Sequence, residues 1–115
     1  ASPLPGPLVS QAFCSALPVR YSKVPREHWK GFATLVLEAA YEATLLAAAD
    51  NAARGGTNIV LLTRLGGGAF GNDDQWIHGA MHRALHSSGG FGLDVRLVSY
   101  GAPSNTLSEI AGAFK

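Results

Sequence analysis

The hydrophobic and polar positions along the chain alternate between short apolar runs and longer stretches with helical spacing. Nearly continuous apolar runs predict three strands, over residues 8–17, 58–65 and 93–100. Apolar residues three and four apart predict three helices, over residues 28–54, from the capping residues at 72–74 to residue 86, and over 106–114. This β-α-β-α-β-α order predicts an α/β fold with three α-β-α layers, in which helices cover both faces of a small, mainly parallel sheet.

The long helical stretch carries two apolar faces, and we expect most of this helix to be covered. One face holds Phe32, Val36, Ala39, Ala43, Leu46 and Ala47, and the second holds Leu37, Tyr41, Leu45 and Ala48. Residues 1–7, with three prolines and a glycine, predict an extended tail or linker. The remaining 8–115 are short enough to form a single domain, which we expect to be α/β.

Composition excludes several classes of protein. The apolar fraction of 47% and the charged fraction of 15% are typical of a globular chain. Nine basic and eight acidic residues without a basic cluster argue against nucleic acid as a partner. No apolar run approaches the ~20 residues of a membrane span, so we expect no membrane partner. The single cysteine, Cys14, excludes an intramolecular disulfide and favours a reducing, cytoplasmic location.

The stretch from Leu62 to Trp76, LTRLGGGAFGNDDQW, is the strongest candidate for chemistry. Its order predicts a strand, a glycine-rich loop and a helix N-terminus, and backbone amides in such a loop can approach a phosphate closely. Phe70 has small neighbours, so its ring could contact a sugar or a base. We expect a ligand site at Gly66, Gly67, Gly68, Ala69, Phe70, Gly71 and Asn72. The alternative is a tight turn whose glycines serve only positive φ.

Three polar residues fall where other predicted strands end. Ser15 lies near the end of the first strand, and Ser99 and Tyr100 end the third. Because ligands of parallel α/β sheets bind at the carboxyl ends of the strands, we expect Ser99 and Tyr100 to border the site, where Tyr100 could stack on a ligand base. Tyr100 could equally fill the top of the core.

Three histidines lie one helical turn apart, at His78, His82 and His86. Two histidines at this spacing can share a zinc ion. On a helical wheel, however, the row points away from the apolar stripe toward water, and neither a cysteine nor a carboxylate joins it. We therefore expect neither a metal site nor a bound cofactor.

Two segments carry a family resemblance: YEATLLAA, beginning at Tyr41, and GGGAFGND, beginning at Gly66. Separated by an apolar strand, they resemble the second half of a macrodomain, and the loop is similar to the diphosphate loop of macrodomain-like poly(ADP-ribose) glycohydrolases. The resemblance covers roughly residues 13–100. It implies binding of ADP-ribose or of an ADP-ribosylated protein, with the loop around the diphosphate and distal ribose and with Ser99 and Tyr100 on the adenine side.

The chain departs from that family in ways that bear on activity. The acidic adenine-binding position and catalytic loop of an earlier half are not found, and Gln75 does not reproduce the Gln-Glu-Glu motif. Catalytic residues are therefore unknown, and an ADP-ribosyl glycohydrolase fragment, a reader and a reduced domain remain open. Open sheet edges and the apolar long helix predict a homo-oligomer or a missing N-terminal segment. An assembly domain with a structural glycine loop is the alternative function, and a nucleotide enzyme of another α/β family is the third.

Overall fold

The computed structural model describes residues 9–67 and 70–98. This part of the chain folds into a small α/β unit with two helices and a two-stranded sheet, preceded by a 3₁₀ turn at Val19–Tyr21. The elements in chain order are α1 (Arg26–Ala53), β1 (Ile59–Leu62), α2 (Asp74–Ser87) and β2 (Asp94–Leu97). The α/β class is confirmed, and the predicted tail at 1–7 and helix at 106–114 lie outside the described residues.

Within the described residues, one face of the sheet is covered and the other is open. β1 and β2 pair in parallel, with Ile59 opposite Asp94 and Leu62 opposite Leu97. Val60 and Leu62 point into the core between the sheet and the two helices, whereas Ile59 and Leu61 are exposed. Such alternation follows from the two-residue period of a strand. Both strands are shorter than predicted, because the flanking residues do not pair within the described part.

The long helix buries one of its two apolar faces. Leu37, Tyr41 and Leu45 pack against α2 and β1, and this face is confirmed as a core face. No described element covers the face that includes Phe32 and Leu46, and these side chains are 57% and 50% exposed. For the part of the chain that the structure describes, the expectation that most of the helix is covered was wrong, because α2 and β1 lie along only one side of it.

The predicted strand at 8–17 is wrong over its described residues. Residues 9–18 have no regular secondary structure, and Phe13 is 90% exposed. A strand buried on both faces needs partners for its backbone groups, and the described sheet consists of β1 and β2 alone. Ala16 and Leu17 instead pack against the core and lead into the 3₁₀ turn.

Among the described residues, α1 is long and apolar enough to cross a membrane by length and composition. Core helices of soluble proteins and signal sequences meet the same criterion. The expectation that the chain has no membrane partner rested on the lack of a long apolar run, and it stays a prediction.

Candidate functional site

The glycine loop, Gly66–Asn72, lies at the carboxyl edge of the sheet, as the sequence predicts. β1 ends at Leu62, and the parallel strand β2 ends beside it, where the Val98 N–H donates to the Leu62 carbonyl at 2.8 Å. Ligands of α/β proteins bind at this edge. Ser99 and Tyr100, the predicted adenine-side residues, follow immediately in the sequence but lie outside the described residues, as do Gly68 and Ala69.

The loop closes on itself through backbone hydrogen bonds. The Asn72 N–H donates to the Gly66 carbonyl at 2.9 Å, and the Gly67 N–H donates to the Arg64 carbonyl at 3.3 Å. Gly66 and Gly71 take φ values of +75° and +72°, a region that favours glycine. Two of the backbone amides that were predicted to bind a phosphate are therefore not available to a ligand, because the N–H groups of Gly67 and Asn72 donate to carbonyls of the protein.

Asn72 attaches the loop to the preceding segment of the chain. Its side chain is 4% exposed, and its Nδ2 donates to the carbonyls of Leu17 at 2.8 Å and Gly66 at 3.2 Å. Its Oδ1 is buried without a hydrogen-bond partner among the described residues. A Cβ added at Gly66 would lie 2.4 Å from the Ala16 Cβ, so the loop and the segment at 16–18 are in close contact.

Two carboxylates already meet the positive end of α2. The Asp73 side chain accepts from the Gln75 N–H at 2.8 Å, so Asp73 is the cap among the three candidates predicted at 72–74. Asp74, in the first turn, pairs with Arg64. Both carboxylates are favourable at a helix N-terminus. These two carboxylates reduce the attraction of the helix N-terminus for a ligand phosphate, which is therefore weaker than the sequence suggests.

Arg20 supplies a positive charge that no motif predicted. Its N–H donates to the Phe70 carbonyl at 2.8 Å, and its side chain lies over Gly71, where an added Cβ would be 3.2 Å from Nε. No carboxylate pairs with Arg20 among the described residues, whereas four other arginines each pair with at least one: Arg54, Arg64, Arg83 and Arg96. The sequence did not predict a role for Arg20 at the loop because Arg20 lies about fifty residues before it.

These groups surround an open hollow of about 320 Å³, which we name the loop cleft. It is lined by Arg20, Gly67, Gly71, Asn72, Asp73 and Asp74. A guanidinium can bind an anionic group through two parallel N–H donors. The nearby carboxylates, one of which caps α2 while the other pairs with Arg64, disfavour a second anionic group. The cleft thus contains one side chain that can bind an anion, Arg20, next to the backbone of Gly67 and Gly71.

The ring of Phe70 is occupied within the protein. It contacts Tyr21 edge to face, with ring centroids 6.5 Å apart and planes at 83°. Phe70 is half-buried beside the core. Its predicted contact with a ligand sugar or base would therefore involve the ring edge or the neighbouring Tyr21, whose side chain is 70% exposed.

Tyr41 holds the approach to the loop, a role that sequence reasoning missed. Its buried hydroxyl donates to the Thr63 carbonyl and accepts from the Leu65 N–H at 3.0 Å. Burial raises the pKa of Tyr41 above its usual value, and the hydrogen bond from Leu65 opposes that rise. This contact anchors the end of β1 to α1.

The three histidines do not lie on one exposed face. His78 is buried, which corrects its predicted position, whereas His82 and His86 are exposed. Burial lowers the pKa of His78, although the Asp74 carboxylate opposes this. Within the described residues, no group of three or more histidine, cysteine or acidic side chains could hold a metal ion.

The remaining candidates have local roles. Ser15 is exposed, and its Oγ donates to the Ala16 carbonyl at 3.1 Å, although the same segment does reach the loop through Ala16. Cys14 is half-buried, with Sγ 3.9 Å from the Ala40 carbonyl oxygen.

Comparison with known protein families, with curated protein sequences and with solved structures found no match.

Proposed function

We propose that the loop cleft binds a nucleotide diphosphate, with ADP-ribose or an ADP-ribosylated protein as the ligand. The glycine loop lies at the edge of the sheet where α/β proteins bind ligands. The likeness of the GGGAFGND segment to a macrodomain diphosphate loop supplies the ligand class. In this proposal the chain is the second half of a three-layer macrodomain-like fold.

The observation that carries the proposal is the arrangement of charges around Arg20. A guanidinium without a carboxylate partner among the described residues lines a cleft of about 320 Å³. This volume is at the lower end of the ~300–1,000 Å³ that small-molecule sites occupy. Arg20 would contact phosphate oxygens through its planar donors, while Asp74 is neutralised by Arg64.

The proposal assigns the main phosphate contact to Arg20 and gives the loop amides a smaller part than the sequence predicts. Gly67 and Asn72 use their N–H groups to close the loop. The function is therefore binding, and hydrolysis has no general acid assigned among the described residues. We expect this chain alone to leave the label on mono- or poly-ADP-ribosylated protein, which gel autoradiography of the incubated substrate would check.

Titration calorimetry with ADP-ribose, ADP and AMP tests the proposal. Arg20→Gln should weaken ADP-ribose at least about tenfold, because a charge-assisted hydrogen bond to phosphate is lost. Arg54→Gln is the matched control, since Arg54 is also exposed but pairs with Asp50 at the far end of α1. A wild-type protein that is folded by circular dichroism yet gives no heat with any of the three ligands would refute nucleotide binding.

A second candidate function, assembly, is favoured by the uncovered side of α1. Phe32, Leu35 and Leu46 form an exposed apolar stripe, which we name the outer face of α1. Exposed large apolar side chains that share one face of a helix favour an interaction surface. The proposed partner is a second copy of this chain, because the stripe runs along a 28-residue helix and could pair with itself about a two-fold axis.

Light scattering across a range of concentrations separates this candidate from the first. Leu35→Glu should convert a dimer to a monomer, because a charge would enter the apolar interface. Leu61→Glu, at a comparably exposed leucine on the open face of the sheet, is the control. A wild-type protein that stays monomeric at high concentration would rule assembly out.

A further inference from the structure

A second, apolar hollow of about 180 Å³ lies beside the 3₁₀ turn. We name it the aromatic cleft, and it is lined by Leu17, Pro18, Val19, Tyr21, Ser22 and Trp29. The Trp29 Nε1 donates to the Ser22 Oγ at 3.0 Å, so the polar atom of the indole is satisfied and the ring is held against the turn. Its walls are therefore mostly apolar and partly aromatic.

The 3₁₀ turn is a wall that the two clefts share. Arg20 lines the loop cleft, and its neighbours Val19 and Tyr21 line the aromatic cleft. The Tyr21 ring contacts Phe70 of the glycine loop, and Asn72 of the loop donates to Leu17. Because consecutive Cα atoms are about 3.8 Å apart, the guanidinium and the exposed phenol ring extend from adjacent backbone positions.

Ser22 adds a directional group to the aromatic cleft. Its Oγ accepts from the Val24 N–H at 3.1 Å and from the Trp29 Nε1 at 3.0 Å. A hydroxyl has two acceptor lone pairs and one donor hydrogen. With both lone pairs in use, its remaining capacity is donation, which suits a ring nitrogen that accepts a hydrogen bond.

We propose that the aromatic cleft is the base subsite of the ligand that the loop cleft holds by its phosphates, and that the base is a purine. The inference rests on the proposed function. Tyr21 presents a largely exposed ring for stacking, Ser22 donates to a ring nitrogen, and Arg20 reaches the phosphate on the other side of the turn. The base subsite is then on the 3₁₀ turn, whereas the sequence alone pointed to Ser99 and Tyr100.

Calorimetry with AMP, adenosine and ribose 5-phosphate tests this assignment in the full chain. AMP should bind wild type more tightly than ribose 5-phosphate does. Tyr21→Ala should weaken AMP and adenosine about tenfold, because a stacking ring is lost, while ribose 5-phosphate should change less than about twofold. Tyr21→Phe keeps the ring and should restore AMP affinity, and Phe91→Ala removes another exposed aromatic as a control.

The outcomes separate this inference from the proposed function. Equal affinity of wild type for AMP and ribose 5-phosphate, or equal weakening of both by Tyr21→Ala, would overturn the base subsite and leave phosphate binding intact. Saturable binding of adenosine that Tyr21→Ala removes supports the subsite even where ribose 5-phosphate fails to bind. A flat thermogram with all three ligands would overturn both.

Discussion

Two glycine turns flank β1, and their surroundings differ although their sequences look alike. Gly55 and Gly56 end α1 and lead into the strand, whereas Gly66 and Gly67 lead out of it. Gly55 and Gly66 both have positive φ, at +93° and +75°. A Cβ added at Gly55 meets nothing within 4 Å, but one at Gly66 meets Ala16 and Asn72 closely.

A glycine pair marks a turn on both sides of β1, but what packs against the two turns differs. The turn after α1 is an ordinary helix end, at which the Gly55 N–H donates to the Ala52 carbonyl. The turn after β1 is covered by the segment that carries Arg20. That segment closes one side of the loop cleft and lines the aromatic cleft with its other side.

The largest expected effect comes from adding one methyl group to each turn. Gly66→Ala should lower the free energy of unfolding by about 3 kcal/mol, because it adds left-handed backbone strain to a collision with Ala16. Gly55→Ala should cost about 1 kcal/mol, since only the strain applies. Urea denaturation followed by circular dichroism measures both. Equal losses would mean that the two turns have equivalent surroundings, and the comparison would fail.

A smaller effect is expected at Tyr41, which holds the strand end next to the loop. Tyr41→Phe should lower the free energy of unfolding by about 1–3 kcal/mol, because the Thr63 carbonyl and the Leu65 N–H lose their partner. The measurement is urea denaturation at neutral pH.

The same variant gives a prediction for alkaline pH. The pKa of Tyr41 is raised in the folded protein, so the unfolded chain releases this proton first. The stabilising contribution of the protonated hydroxyl is complete below pH 10 and falls as the pH rises through the folded-state pKa. Wild type should therefore lose more stability above pH 10 than Tyr41→Phe. Parallel pH profiles for the two proteins would contradict the buried, hydrogen-bonded hydroxyl.

The smallest effect concerns the charge at the helix N-terminus. Asp73→Asn keeps an equally good cap but removes a negative charge from the loop cleft. ADP-ribose should bind about two- to fivefold more tightly at low ionic strength, and high salt should reduce the gain. Calorimetry at two salt concentrations measures this. An unchanged affinity at low salt would place the bound phosphate away from Asp73.

Features set by neighbouring residues were predictable from the sequence. A cap within 72–74 was predicted and Asp73 supplies it, and the glycine loop follows a strand as predicted. Each of these depends on backbone geometry within a few residues. The carboxyl-edge position of the loop followed as well, because β1 and β2 are parallel.

Features set by distant residues were not predictable. The segment at 9–17 has the composition of a strand, but strand formation depends on a partner that its own sequence does not encode. Arg20 and Tyr41 act on the loop from about fifty and twenty-five residues away. His78 was predicted to face water on a helical wheel, yet it is buried. Asp74 lies one turn before it in α2, but the nearby Arg64 belongs to another part of the chain, which only the tertiary arrangement brings close.

The most direct test of ligand binding at the loop cleft is an amide chemical-shift titration of the isotope-labelled protein with ADP-ribose. We predict saturable shifts at Arg20, Gly67, Gly71 and Asn72, with Gly55 and Gly56 as internal references that stay in place. The contradicting result is a folded protein whose loop amides do not move at saturating ADP-ribose, or whose shifts are confined to the outer face of α1.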